Sequence, residues 1–369
     1  MPALRVALAP VLLVLLAACT AREPVRGPGL VTATPDAQAT PTAAAPATAT
    51  RTVTPTPTLA PPASGVVTIG LIGDLMFARD VVTLMEEHGA GYPFERVTPL
   101  FRGVDVLIGN LEGTFTDRGE RADKYYTFRA PPALASTLLR AGFDAVSLGN
   151  NHALDFGPVG LADTREALDA LGIAYFGAGL DEAEATRPLL LDAGGFRLAL
   201  LGFSAVRSSV FAGESQPGVA EADYEDVIAA VQAATDEADF VVVALHFGTE
   251  YDPVPTERQR LLARAAADAG AALVVGHHAH TLQPWERRGD ALILYGLGNF
   301  VFDLDRDDLR VLGEGPFATA VAVVELHEDA PPRVEFRPAY IDPDENRPRP
   351  ASADETSRIR SALRELADE

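Results

Sequence analysis

Residues 66–74 read VVTIGLIGD, a short apolar run that stops abruptly at Gly73-Asp74. A run of this length, rich in β-branched residues and bounded by a turn, reads as a strand with a carboxylate at its carboxyl end. The same pattern recurs down the chain. Residues 104–108 lead into Gly109-Asn110-Leu111-Glu112, and 145–148 into Gly149-Asn150-Asn151-His152. Residues 240–245 lead into His246-Phe247-Gly248-Thr249-Glu250, and 272–275 into Gly276-His277-His278-Ala279-His280. Residues 291–295 are followed by Gly298-Asn299-Phe300. Further extended runs occupy 173–176 and 196–203.

Helical patterns separate these strands at 132–141, 159–171, 223–238 and 256–269, the last with Thr256 as N-cap and Gly270 just past its end. Strands alternating with helices imply βαβ units and largely parallel sheets, so the fold class is α/β. Two late β runs, 318–326 and 333–340, suggest an added antiparallel edge, and a terminal helix is expected over 357–367. The organised region is read as one domain, 65–345, with a C-terminal tail or helix over 346–369.

The 369 residues carry a formal charge of −22 and are 47% hydrophobic, enough for a sizeable core. So acidic a chain lacks the basic footprint of a nucleic-acid binder, and no nucleic-acid partner is expected. The one cysteine, Cys19, rules out an internal disulfide and a cysteine-based zinc site. Any metal must be held by His, Asp, Glu or Asn, a donor set compatible with manganese, zinc or iron.

Cys19 has its own context. Arg5 is followed by an apolar run over 6–18, shorter than the about 20 residues a spanning helix needs. It ends Leu15-Leu16-Ala17-Ala18-Cys19. This resembles a bacterial lipobox, which implies a signal peptide over 1–18, cleavage before Cys19 and acylation of its thiol. The alternative is an ordinary signal peptide with a chance cysteine. Lipidation would hold the protein at the membrane surface with about 0.8 kcal/mol per buried methylene, outside the cytoplasm. Residues 19–64, rich in Thr, Pro and Ala, cannot bury a core and read as a disordered or extended spacer.

In open α/β sheets, ligands bind beyond the carboxyl ends of strands, where most of the polar signals fall. Five of seven histidines (His152, His246, His277, His278 and His280) lie in those turns, in step with Asp74, Glu112 and Asn151. A structural polar cluster is the bland explanation; a divalent-metal site, with one or two ions, is the sharper one. Asp74 and Glu112 supply anionic charge, and a carboxylate such as Glu112 can bridge two ions about 3.5–4 Å apart. Neutral imidazole is the commonest metal ligand.

Taken together and in this order, these motifs, with Gly73-Asp74-Leu75-Met76 and Tyr295-Gly296-Leu297-Gly298-Asn299-Phe300, resemble the CapA family within the calcineurin-like metallophosphoesterase superfamily. CapA proteins are associated with poly-γ-glutamate capsule biosynthesis. The resemblance implies a metallophosphoesterase-like four-layer β-sandwich flanked by helices. It implies Asp74 and His280 as first-metal ligands, Glu112 as the bridging carboxylate, and Asn151, His246 and His278 as second-metal ligands. His152 takes the place of the catalytic histidine, with Asn110, Asp155, Glu250, His277 and Asn299 as supporting candidates. Two departures stand out: Met76 occupies a position where phosphoesterases usually carry His, and Glu112 one where they carry Asp.

Three functions remain open from the sequence. One is a cell-surface lipoprotein for poly-γ-glutamate synthesis or export, beside a polyglutamate ligase or export complex. Another is a metal-dependent phosphoesterase or other hydrolase on an extracellular substrate. The third is a metal-stabilised binding or scaffold protein. Arg79, Arg129 and Arg140 are candidate basic groups for a polyanion, or ordinary surface arginines.

Overall fold

The computed structural model describes residues 65–206 and 210–366. The signal peptide over 1–18, the lipidation site Cys19 and the spacer over 19–64 lie outside the described residues. The chain lays down β1 (Val66–Leu75), β2 (Val106–Leu111), β3 (Ala145–Ser147) and β4 (Ala174–Phe176) side by side and parallel. It then crosses to a second sheet of β5 (Leu189–Ala193), β6 (Phe196–Ser204), β7 (Phe240–His246), β8 (Leu273–His277), β9 (Leu282–Arg288) and β10 (Ala291–Leu297). It returns to the first with β11 (Asn299–Val301), β12 (Ala318–His327), β13 (Arg333–Asp342) and β14 (Arg347–Pro350).

The first sheet has the order β14-β13-β12-β1-β2-β3-β4, with β11 also paired to β1. The second has the order β9-β10-β8-β7-β6-β5. Its central strands β6, β7, β8 and β10 are parallel, and antiparallel β9 and β5 close its edges.

The two sheets face one another, and strand periodicity explains why. Val67, Ile69 and Leu71 of β1 pack in one apolar cluster with Leu198 and Leu200 of β6, Val242 and Ala244 of β7, and Leu292 and Leu294 of β10. Alternate residues point the other way. Ile72, Leu107 and Val146 meet Val81 and Met85 of α1 (Arg79–His88), Leu138 of α2 (Ser136–Ala141), and Leu161 and Leu168 of α3 (Gly157–Leu171). On the far side, Val241, Val243 and Leu245 meet Val227 and Val231 of the helix Tyr224–Thr235, and Leu262 and Ala266 of Glu257–Asp268. Helices, sheet, sheet and helices make four layers around three apolar interfaces, the α/β sandwich expected. Each fully buried aliphatic side chain contributes roughly 1.5–3 kcal/mol. Strands covered on both faces carry unbroken apolar runs, as the sequence does at 240–245.

The helix starting after Thr256 has the expected cap. The Thr256 hydroxyl accepts from the Gln259 amide, and the Gln259 side chain accepts in turn from the Thr256 amide. The late β pair adds antiparallel strands to one side of the first sheet, as expected, with β12 between β1 and β13. The C-terminal segment differs from expectation. The expected tail after residue 345 begins with β14, which pairs with β13, and the terminal helix runs Ala353–Ala362 with Ile359 buried. Proline-rich Arg347–Pro350 gives little strand signal, and an edge strand is where proline is tolerated. Among the described residues, no helix is long and apolar enough to cross a membrane.

Candidate metal centre

β1, β2, β3, β7 and β8 deliver their carboxyl ends to one region between the sheets. The approach of β1 to the β10–β11 connection requires glycine at 73, where a Cβ would lie 1.9 Å from the Gly298 carbonyl oxygen. The Asp74 amide donates to that same oxygen at 2.9 Å, which sets Asp74 beside Asn299. The turn after β8 holds His278 and His280 at φ of 83° and 53°. Left-handed backbone is uncommon for residues other than glycine and concentrates at functional sites.

Asp74, Glu112 and His280 offer ligand atoms within 4.8 Å of one another, and so do Glu250, His278 and His280. Asp74 and Glu112 are fully buried, and His246, His278 and His280 nearly so. His280 Nδ1 lies 3.2 Å from Asp74 Oδ2 and 2.8 Å from Asn299 Oδ1. Asn110 donates to Asp74 Oδ1 at 2.9 Å. His246 Nδ1 lies 3.8 Å from Glu112 Oε1, and its Nε2 lies 2.7 Å from the Asn151 side-chain oxygen. His277 is apart from this group, its Nε2 3.2 Å from the Ile72 carbonyl oxygen.

The electrostatics are those of a crowded, dry pocket. Burial raises the Asp74 carboxyl, but the hydrogen bond with His280 and the nearby histidine charge outweigh it and hold the group at about 2. For Glu112, burial and the Asp74 charge outweigh the lowering pull of His280 and push it well above the carboxylate range. His280 is pushed up to about 9, because the Glu112 charge and the Asp74 hydrogen bond overcome its burial. His246 falls well below its ordinary value through burial and neighbouring histidines, and His278 falls to about 3 for the same reasons.

Two buried atoms here, Glu112 Oε2 and His278 Nδ1, have no hydrogen-bond partner. Buried polar atoms are rarely left so. Both carry lone pairs, and both stand among carboxylate and imidazole donors. The residues present therefore fit a divalent cation: an ion would satisfy the orphaned atoms and relieve the repulsion between the carboxylates.

A second group borders the first. His152 Nε2 lies 4.0 Å from Glu112 Oε2, and His152 Nδ1 lies 2.8 Å from Asp155 Oδ2. Burial lowers the His152 imidazole and the Asp155 bond works against it. The Phe128 ring stacks on His152 with centroids 4.2 Å apart. Asn150, which the motif reading passed over, ties the strand ends together by donating to Asn110 Oδ1 at 3.1 Å and to the Leu111 carbonyl at 2.8 Å. Lys124 also escaped that reading; it pairs with Asp155 and donates to the Asn151 carbonyl at 2.7 Å. Met76 lies in an apolar cluster with Phe128, Phe302 and Phe317, so its position supplies packing rather than a ligand. Of the three arginines singled out, Arg79 reaches this region, its guanidinium 5.2 Å from the Phe128 ring centre. Arg129 covers Phe156 instead, and Arg140 ends α2.

Residues 68–304 match the model of the bacterial capsule synthesis protein PGA_cap family. The chain is 36% identical over 280 residues to the PGA biosynthesis protein CapA of Bacillus subtilis, covering 72% of this chain and 73% of that one. It is 35% identical to the capsule biosynthesis protein CapA of Bacillus anthracis, over 64% of this chain and 60% of the relative. Among solved structures it is similar to a 5'-nucleotidase precursor from Thermus thermophilus, with TM-score 0.46 and 14% identity over 80% of this chain and 58% of that one. The chain belongs to the PGA_cap family of bacterial capsule synthesis proteins.

Proposed function

We propose that this member of the capsule synthesis family acts in the making or export of a poly-γ-glutamate-type surface polymer, as a metal-dependent hydrolase working outside the cytoplasmic membrane. The carrying observation is the pair of orphaned buried atoms, Glu112 Oε2 and His278 Nδ1, in a chain that belongs to a capsule synthesis family. Asp74, Glu112 and His280 would hold one ion; His246, His278 and Asn151, with Glu112 shared, would hold a second. A divalent ion in this pocket supplies a Lewis acid that polarises a carbonyl or phosphoryl oxygen.

The chain's own residues do the rest. Asn110 and Asn299 fix the orientations of Asp74 and His280 by hydrogen bonds of 2.9 and 2.8 Å. Asp155 accepts from His152 Nδ1–H and so leaves Nε2 as the atom facing Glu112. His152 can then give a proton to a leaving group, or take one, at Nε2. Phe128 shields one face of that ring from water. Cationic metal also addresses a charge difficulty, since a chain of −22 repels a polyanion unless local positive charge offsets it. Anchoring through Cys19, with residues 19–64 as spacer, would place the domain beside a membrane ligase or export complex.

Deleting the gene and measuring glutamate released from surface polymer tests the reading. Loss of polymer, restored by the wild-type gene but not by an Asp74→Ala, His280→Ala form, is expected. Unchanged polymer after deletion overturns it.

A further inference from the structure

The chain carries 30 lysine and arginine residues, and a single one of them, Lys124, is lysine. Where any cation suffices, this chain uses arginine. A position that uses lysine calls for what arginine lacks, a compact ammonium whose three donors diverge from one point.

The surroundings of Lys124 have that shape. Its Nζ donates to the Asn151 carbonyl at 2.7 Å, pairs with Asp155 Oδ1, and lies 3.3 Å from His152 Nδ1. Asp155 is fully buried, and its other oxygen accepts from the Phe128 amide at 2.6 Å and from His152. The Ala122 amide donates to the Asp155 carbonyl at 2.8 Å. The loop 116–128 is closed at its base by parallel pairing of Thr114–Phe115 with Arg129–Ala130. At its far side it displays Tyr125 and Tyr126 to solvent, with Arg79 stacked 4.9 Å above Tyr126. Lys124 is thus the point where an exposed aromatic loop, a buried carboxylate and the turn bearing Asn151 and His152 meet. A planar guanidinium is longer and its donors lie in one plane, so it does not reproduce the ammonium's paired contacts with the Asn151 carbonyl and Asp155 Oδ1.

We propose that Lys124 is a positioning residue that locks loop 116–128 onto the Asn151–His152 turn through Asp155 and so aims His152 Nε2 at the metal cluster. This deepens the functional reading above and rests on it only for the meaning of the cluster; the contacts stand without a metal.

The test uses the full chain, metal-free, with Lys124→Arg, which keeps the charge, and Lys124→Met, which removes it. Hydrogen exchange is followed by mass spectrometry in peptides covering 119–130 and 150–157, with 240–246 as reference. The ring 15N signals of His152, assigned by His152→Gln, are recorded alongside. Both variants are expected to exchange about tenfold faster or more in the two segments, with the reference unchanged and the His152 signals displaced. Should Lys124→Met fail to fold, Lys124→Arg decides. Wild-type exchange and undisplaced His152 signals in Lys124→Arg overturn the proposal. A manganese titration then separates the two readings. Affinity about tenfold weaker in Lys124→Arg is expected from a residue that orients a ligand turn. A wild-type chain that takes up no manganese sinks the metal reading and leaves the exchange result to decide this one.

Discussion

His152 Nε2 lies 4.0 Å from Glu112 Oε2 of the carboxylate–histidine cluster, yet the two groups are built by different means. Asp74, Glu112, His246 and His278 stand at the ends of buried strands whose register is fixed by two packed sheets. His152 is held by a turn and a loop, through one carboxylate, one lysine and one stacked ring. A frame made of strands is rigid because moving it disrupts three apolar interfaces. A frame made of loop contacts is only as firm as a few polar bonds. Under the proposed function this is a division of labour: the sheets would fix the metal ligands, and the loop would fix the proton-handling group.

That division can be broken on the loop side first. His152→Gln should lower hydrolytic turnover by about 10²–10⁴-fold while metal content stays at the wild-type level, read by elemental analysis of the same sample. A parallel loss of metal would show that the two sides are one. On the strand side, His278→Ala should weaken metal binding by more than about a hundredfold, and His277→Ala by less than about tenfold, since His277 faces the Ile72 carbonyl. Calorimetric titration of both variants distinguishes them, and equal losses would undo the assignment.

The frame itself is tested by Gly73→Ala. A methyl 1.9 Å from the Gly298 oxygen must push β1 from the β10–β11 connection, costing ~3 kcal/mol in urea unfolding. A wild-type midpoint would mean that the crossing is soft.

The smallest expected effect is on pH dependence without metal. His280 binds its proton more tightly when folded, at about 9 against 6.5. Its contribution is therefore present below pH 6.5 and lost as pH rises through about 9. Asp74, held at about 2, contributes above its ordinary 3.8 and loses that contribution as pH falls through about 2. Buried His278, at about 3, disfavours the fold as pH drops below 6.5. The melting temperature of the metal-free chain should decline from about pH 6.5 to about 9, and His280→Gln should flatten that limb. A flat wild-type profile would remove His280 from the cluster's charge balance.

The same contrast explains what the sequence discloses. Strand ends announce themselves, because an apolar run that stops at Gly-Asp or Gly-His places its polar residue by periodicity alone. So Asp74, Glu112, His246 and the His278–His280 turn are legible from spacing. α1, the β5 and β9 edges and β14 are not, since tertiary contacts rather than pattern hold them; Arg347-Pro348-Arg349-Pro350 carries scarcely any strand signal. Lys124 and Phe128 lie in a polar loop with no period, and only the fold brings them to His152. One signal for Lys124 did exist in the sequence, its being the sole lysine. His277 shows the opposite limit: neighbours in a turn share a motif, but alternate direction sends one ring to the pocket and the other to a backbone carbonyl.

Bound metal decides whether the buried cluster is the centre its donors describe. Elemental analysis of the purified full chain, beside an Asp74→Ala, His278→Ala, His280→Ala variant, should find about one or two divalent ions per chain in the former and none in the latter. Absence of metal from the wild-type chain after reconstitution with manganese, zinc and iron would contradict it.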